Sequence, residues 1–357
     1  MKEYLILLAT IITSTFGSAS HPSTSHRLNI PTAFNYAFFN QWHCIGISKN
    51  VDLKTPYKFN IGELPLVLWK DNNDNLLSTV NICRHLGSML DSGPVVNGSL
   101  LCPYHGLKHD KKQAYGKIID YQGKLWWSYK PVKKTPHSIP FFKKQGYTTQ
   151  HVQIDMNAGL KDCAYNSMDL HHPEFVHKGL LGFGSSVPPS HVRTIPFIDR
   201  VGLEFDYHIK SNIRYISSDM NITKRDKYTK NFNMFIEPST GWSKVSIGNS
   251  DRNLIISVNM LPIREDVTRW FVSLHHNFNN DNAFQKYIMK TATRLILSQD
   301  FIQFRRMYPD NPLKEACTFQ FMLKHDAPIE YIKEMLKNYT YPDVKVCTNF
   351  VKMTRKS

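Results

Sequence analysis

Between residues 83 and 105 the chain reads Cys83-Arg84-His85, sixteen residues, then Cys102-Pro103-Tyr104-His105. Each half pairs one thiol with one imidazole. Two thiolates on one iron and two neutral imidazoles on the other make a two-iron, two-sulfide centre. In such a centre the histidine-bound iron takes the electron at a raised potential. A mixed Cys/His zinc site is the alternative, but zinc has no need to divide its ligands evenly between two loops. The loops must bend sharply to bring main-chain N–H groups to the sulfur atoms. Gly87, Gly93-Pro94 and Asn97-Gly98 supply the turn residues for that.

A second constellation follows in Asn166-Ser-Met-Asp169-Leu-His-His172-Pro-Glu-Phe-Val-His177. Two imidazoles and a carboxylate on one face of a metal leave the other face open for O2 and substrate, the arrangement of non-haem iron(II) sites. His172 and His177 are five residues apart, about 140° around an ideal helix, too far for one stripe. Pro173 between them should kink or restart the helix and let the rings converge. His171 is an adjacent imidazole, read as an exposed neighbour.

Taken together, a Cys/His pair of pairs followed by Asn-x-x-Asp-x-x-His-x(4)-His resembles the catalytic subunit of a Rieske non-haem iron oxygenase, from about residue 36 to about 320. The resemblance implies Cys83, His85, Cys102 and His105 as ligands of a [2Fe–2S] cluster, and His172 and His177 as ligands of a mononuclear Fe(II). Asp169 would bridge His172 to His105 of a neighbouring copy, and Asn166 would lie beside the iron. The third iron ligand should be a carboxylate on a later helix. Ser298-Gln299-Asp300 fits that segment, with Leu295, Ile296, Phe301, Ile302 and Phe304 supplying a buried face, so Asp300 is the expected ligand. High-potential respiratory Rieske proteins carry an extra cysteine in each loop. Here Ser88 and Tyr104 stand at those places, so the resemblance is to the low-potential type.

The elements that must position these residues make an α+β fold. The resemblance implies an all-β Rieske domain over 36–135 and a helix-grip catalytic domain over 141–350, an antiparallel sheet wrapped on a long helix. Asn40–Ser48, Glu63–Trp69 and Leu125–Tyr129 read as strands of the first domain, with a turn at Asp71–Asn75 and a linker from Pro131 to Pro140. Asn231–Ile236, Asn253–Leu261 and Thr268–Leu274 read as β-branched and aromatic strands of the second. His275-His276 closes the last of these as a sheet or pocket-wall feature.

The family's chemistry implies an enzyme taking electrons from an external ferredoxin or reductase, with O2 and a small, bulky hydrophobic substrate. Its cluster-to-iron transfer runs between copies, which implies a homotrimer. The segment from Asp169 to Val192, with Gly179, Gly182 and Ser186-Val-Pro-Pro189, resembles the branch that includes chlorophyllide a oxygenase and pheophorbide a oxygenase. A tetrapyrrole is therefore the first substrate expected. The alternative function is an electron-transfer protein whose catalytic domain is inactive. A respiratory Rieske subunit would call for a membrane anchor and the paired extra cysteines.

The 357 residues carry a net charge of +15 and a sequence pI of about 9.4. No aromatic-basic recognition motif accompanies that charge, so nucleic acid is not expected as a partner. A basic surface suits an acidic electron donor; the Lys- and Asn-rich composition of an AT-rich genome is the competing explanation. Hydrophobic content of 41% and a mean hydropathy of −0.37 describe a well-cored globular chain. Cys44, Cys163, Cys317 and Cys347 show no disulfide-framework spacing. Residues 1–27 read as a signal- or transit-like hydrophobic leader, too short to span a bilayer but able to rest on one. Of the sequons at Asn97, Asn221 and Asn338, the first lies between the ligand pairs, where a glycan would obstruct docking. An organelle of plastid type or the cytoplasm fits better than secretion.

Overall fold

A computed structural model describes residues 38–139, 142–177, 190–196, 200–208, 228–236, 239–246, 253–278, 283–307, 323, 326–337 and 339–356. The expected leader, the Gly179–Pro189 stretch, Cys317 and the sequons at Asn221 and Asn338 lie outside them.

Nine strands come first. They are β1 (His43–Ile47), β2 (Tyr57–Ile61), β3 (Leu64–Lys70), β4 (Leu76–Val80) and β5 (Val95–Val96). After these come β6 (Ser99–Leu101), β7 (Lys108–His109), β8 (Lys117–Tyr121) and β9 (Lys124–Ser128). They form three small antiparallel sheets ordered β1-β9-β8, β2-β3-β4 and β5-β6-β7. β3 is buried along most of its length, which is why Leu64–Trp69 reads as a nearly continuous apolar run. At the turn after it the Asp71 carboxylate accepts the N–H groups of Asn73 and Asn75. Asn97-Gly98, with φ of 49° and 74°, closes a two-residue hairpin between β5 and β6. Trp69 and Trp127 fill the interior, each with its indole N–H donating, to Gly98 O and to Ser78 Oγ.

The second part is a seven-stranded antiparallel sheet that carries the helices. Its strands are β10 (Thr148–Met156), β11 (Ser190–Pro196), β12 (Arg200–His208), β13 (Tyr228–Ile236), β14 (Thr240–Ser246), β15 (Asn253–Arg264) and β16 (Val267–His276). Their order is β10-β16-β15-β14-β13-β12-β11. The helices are α1 (Leu160–Met168), α2 (His172–Val176), α3 (Ala283–Met307), α4 (Ala327–Met335) and α5 (Val344–Lys356). Alternation along the strands sends Val152, Phe235, Met260, Trp270 and Val272 to the face that packs against α1 and α3. This is the expected α+β architecture, with α3, 25 residues and about 37 Å long, as the helix that the sheet grips.

One detail of α3 corrects the sequence reading. Leu295 and Ile302, expected on its buried face, are exposed on the opposite side. The buried stripe is Met289, Thr293, Leu297, Asp300 and Phe304, spaced by four, four, three and four. The apolar residues around α3 are too evenly spread for composition to pick the inner face. Packing picks it: Phe304 meets Trp270 edge-on, ring centroids 6.3 Å apart.

The two parts share a seam. Gly62 and Glu63, in the β2–β3 turn, donate main-chain hydrogen bonds to Pro262 and Pro342. The buried Lys124 ammonium, on β9, donates to Asn259 on β15. Phe39 packs against Phe350 of α5 with the rings tilted and their centroids 4.5 Å apart.

Candidate redox and metal centres

The first centre is one loop built twice. After β4, the Cys83 N–H donates to Ser88 O and the Gly87 N–H returns to Cys83 O. After β6, the Cys102 N–H donates to Leu107 O and the Gly106 N–H returns to Cys102 O. Gly87 and Gly106 both hold positive φ, 79° and 69°, which lets each loop close. Asn81, fully buried, anchors the first loop by accepting the N–H groups of Leu90 and Asp91 and donating to the Asp91 carboxylate.

This geometry sorts the four side chains by depth. Cys83 and Cys102 are buried, and His85 and His105 are exposed with ring centroids 5.0 Å apart. Burial pushes the Cys102 thiol up, but the main-chain N–H groups of Tyr104 and His105 and the side chains of Cys83 and Ser88 outweigh it. The net shift is downward, toward the thiolate that iron requires. Two buried thiols and two exposed imidazoles fit the mixed donor set of a two-iron cluster.

The second centre joins α1, α2 and α3. α1 ends at Asp169, whose N–H caps back onto Tyr165 O and Asn166 O. One Asp169 carboxylate oxygen accepts the N–H groups of His171 and His172, at 2.7 and 3.2 Å, so the chain turns and restarts as α2 with Pro173 in its first turn. The restart brings His172 and His177 together with rings 5.3 Å apart and nearly perpendicular. From α3, Asp300 Oδ1 lies 3.8 Å from His172 Nε2 and 3.4 Å from His177 Nε2. Asn166 Nδ2 donates to the same oxygen at 3.4 Å. One ligand atom from each of His172, His177 and Asp300 lies within 4.8 Å of the others, the only such group among the described residues.

The donor set suits a divalent cation. His172 Nδ1 lies 3.0 Å from the Asp169 main-chain oxygen, and His177 Nδ1 lies 3.2 Å from Gln299 Oε1. Each ring that donates through Nδ1 turns its Nε2 lone pair toward Asp300. Burial, and then His172, lower the His177 imidazole to about 4, with Gln299 opposing. Burial raises the Asp300 carboxyl to about 6 against the pull of His172 and Asn166. Two imidazoles facing a buried carboxylate form a pocket whose donor atoms a metal ion would share.

Every site residue read from the sequence thus falls in one of two groups, and Gln299 is the neighbour that the sequence reading gave no role. Its signal was its position directly before Asp300. His171 is half-buried and outside the metal-competent group. His275 and His276 are buried in β16 and held by Thr149 Oγ1 and Phe278 O, a sheet feature as expected.

A family model of the Rieske [2Fe-2S] domain matches residues 41–125. Residues 41–125 are a Rieske [2Fe–2S] domain. Among the chain's relatives, the oxygenase component of dicamba O-demethylase from Stenotrophomonas maltophilia is 26% identical over 161 residues, 39% of this chain and 47% of that protein. Chlorophyllide a oxygenase from Arabidopsis thaliana is 24% identical over 168 residues, 42% of this chain and 31% of that protein. The matches therefore span about half, or less, of these curated relatives' lengths. The fold extends well beyond the Rieske domain. The crystal structure of dicamba monooxygenase bound to dicamba superposes with a TM-score of 0.69 at 16% identity, covering 88% of this chain and 98% of that one.

Proposed function

We propose that this chain is a Rieske-type oxygenase. The observation that carries the reading is the coexistence in one chain of the doubled Cys/His loop and the convergent His172, His177 and Asp300. The reaction is substrate, O2, two electrons and two protons to oxygenated product and water. When bound, the cluster supplies single-electron transfer and the mononuclear iron supplies O2 activation. Cys83, His85, Cys102 and His105 would hold the first group, and His172, His177 and Asp300 would hold the second. Asn166 orients the Asp300 carboxylate, and Asp169 fixes the start of α2.

The electrons come from an external ferredoxin or reductase, for which the net charge of +15 favours an acidic docking face. His105 is exposed and flanked by the exposed Tyr104 and Leu107, with Leu86 on the other loop, which suits a protein surface against the cluster. A neighbouring copy of the chain, in a homotrimer, is the proposed occupant, its Asp169 and His172 facing this His105. For the substrate we propose a bulky hydrophobic molecule, a tetrapyrrole first. Its support is the Asp169–Val192 resemblance and the similarity to a relative named chlorophyllide a oxygenase. Among the described residues no helix is long and apolar enough to cross a membrane. A peripheral association through residues 1–27 belongs to the same proposal, as does a plastid-like or cytoplasmic setting.

Electron paramagnetic resonance on anaerobically purified, dithionite-reduced protein, then exposed to nitric oxide, tests the reading. A Rieske signal with a high-spin iron–nitrosyl signal is expected. A Rieske signal alone, in protein supplied with iron, would move the chain to the electron-transfer class. Pigment binding is measured separately, and failure to bind or convert chlorophyllide-type molecules removes the tetrapyrrole preference.

A further inference from the structure

The two histidines of the second centre have their Nδ1 atoms held by different kinds of group. For His172 the partner is a main-chain carbonyl, Asp169 O at 3.0 Å. A carbonyl can only accept, so His172 must carry its proton on Nδ1 to make that bond. For His177 the partner is the side-chain amide of Gln299, 3.2 Å away through Oε1. An amide can accept through oxygen or, turned over, donate through nitrogen. With the oxygen facing the ring, His177 is protonated on Nδ1 and its Nε2 lone pair is free for a metal. Turned over, the amide would donate to Nδ1 and force the proton onto Nε2. That atom lies 3.4 Å from Asp300 Oδ1, so the proton would pair with the carboxylate and close the site.

Gln299 and Asp300 are consecutive residues of α3. Two consecutive positions of the helix therefore grip the His177 ring at both nitrogens: the amide at Nδ1 and the carboxylate facing Nε2. Resting on the reading of His172, His177 and Asp300 as metal ligands, we propose that Gln299 is a positioning residue. Its amide oxygen fixes the His177 tautomer that presents Nε2 to the metal, and so sets the metal affinity of the site. Gln299 touches neither substrate nor metal in this role; it acts through His177.

The test is anaerobic Fe(II) titration of full-length protein carrying its [2Fe–2S] cluster, read by the iron–nitrosyl signal. The cluster's own reduced signal is the internal control for folding. Gln299→Leu, which keeps the bulk and removes the acceptor, is expected to weaken Fe(II) binding by about 10–100-fold with the Rieske signal unchanged. Gln299→Glu keeps an acceptor that cannot donate when ionised, and is expected to bind within about threefold of wild type. Should the Leu variant lose its cluster, Gln299→Asn, which withdraws the amide by one methylene, carries the same expected weakening. Wild-type affinity in the acceptor-free variants, or equal weakness in Gln299→Leu and Gln299→Glu, overturns the proposal while leaving the proposed function standing. Wild-type protein that takes up no Fe(II) at all overturns both.

Discussion

The two centres are built by opposite strategies. The paired Cys/His loops are local: each closes on itself through a Cys main-chain pair and a positive-φ glycine, and all four Cys and His side chains lie between residues 83 and 105. The second centre is assembled at long range, His177 on one side and Asp300, on a different helix, on the other. The first presents its histidines to solvent, while the second buries Asp300 and His177 under a sheet. An exposed centre built from self-sufficient loops can meet a protein partner without disturbing the core. A buried centre tied to helix packing can exclude water but depends on the whole fold. The proposed electron entry and oxygen chemistry make these two different demands.

If the centres are independently built, each should survive loss of the other. Cys102→Ser is expected to abolish the Rieske signal while leaving the iron–nitrosyl signal of the second site. Asp300→Ala should do the reverse, removing the nitrosyl signal with the cluster intact. Metal analysis and paramagnetic resonance on the two variants check this, and loss of both centres in either variant would break the comparison. The next largest effect concerns their connection. Asp169→Asn keeps an oxygen for the His171 and His172 N–H groups but removes the charge proposed to link neighbouring copies. Both centres should load normally while turnover falls by on the order of 100-fold, the scale of a displaced catalytic geometry. Wild-type turnover would remove Asp169 from the bridging role.

The same contrast explains what could be read before the structure. The convergence of Cys83, His85, Cys102 and His105 was legible because local loops bring residues of fixed spacing together. His172 and His177 were legible once Pro173 was seen to restart the helix. Asp300 needed the family resemblance, because nothing local distinguishes a buried aspartate that meets two histidines from a surface one. Its place in the stripe Met289, Thr293, Leu297, Asp300, Phe304 became visible only when packing chose the inner face of α3. Gln299 was missed for a related reason: which neighbour a helical side chain touches is set by the turn from α1 to α2, far away in sequence. β3 and the strands around Trp270 were readable because burial on one or both faces leaves a period-two or continuous apolar record.

Acidification should destabilise the fold where histidines are buried without charge. His151 and His275 are buried on the sheet, and burial lowers their imidazoles to about 3 and about 4, with Lys124 adding to the shift. In the unfolded chain both titrate near 6.5. Below that pH the unfolded state takes up protons that the folded state refuses. Stability present above 6.5 is therefore lost as pH falls toward 4, by about 2 kcal/mol per histidine at pH 5. Thermal unfolding measured from pH 7.5 to 4.5 should show a falling Tm. His275→Asn should flatten that fall. An unchanged slope in the variant would place the acid sensitivity elsewhere.

The smallest effect probes whether the cluster loops are truly equivalent. A Cβ on Gly106 would meet nothing within 4 Å, and one on Gly87 would only graze Ile82 Cγ2 at 4.0 Å. Neither substitution to alanine has a steric clash to overcome, so its cost is the left-handed backbone alone, about 1–2 kcal/mol. Gly93, between the loops, is different in kind: its Cβ would run into the Leu101 carbonyl oxygen. Gly87→Ala and Gly106→Ala should thus lower stability equally and retain the cluster, while Gly93→Ala should lose it. Equal denaturation midpoints for the first two would confirm that one loop design is used twice. A large gap between them would mean that the matching hydrogen bonds hide unequal strain, with one loop more dependent than its twin on the structure around it.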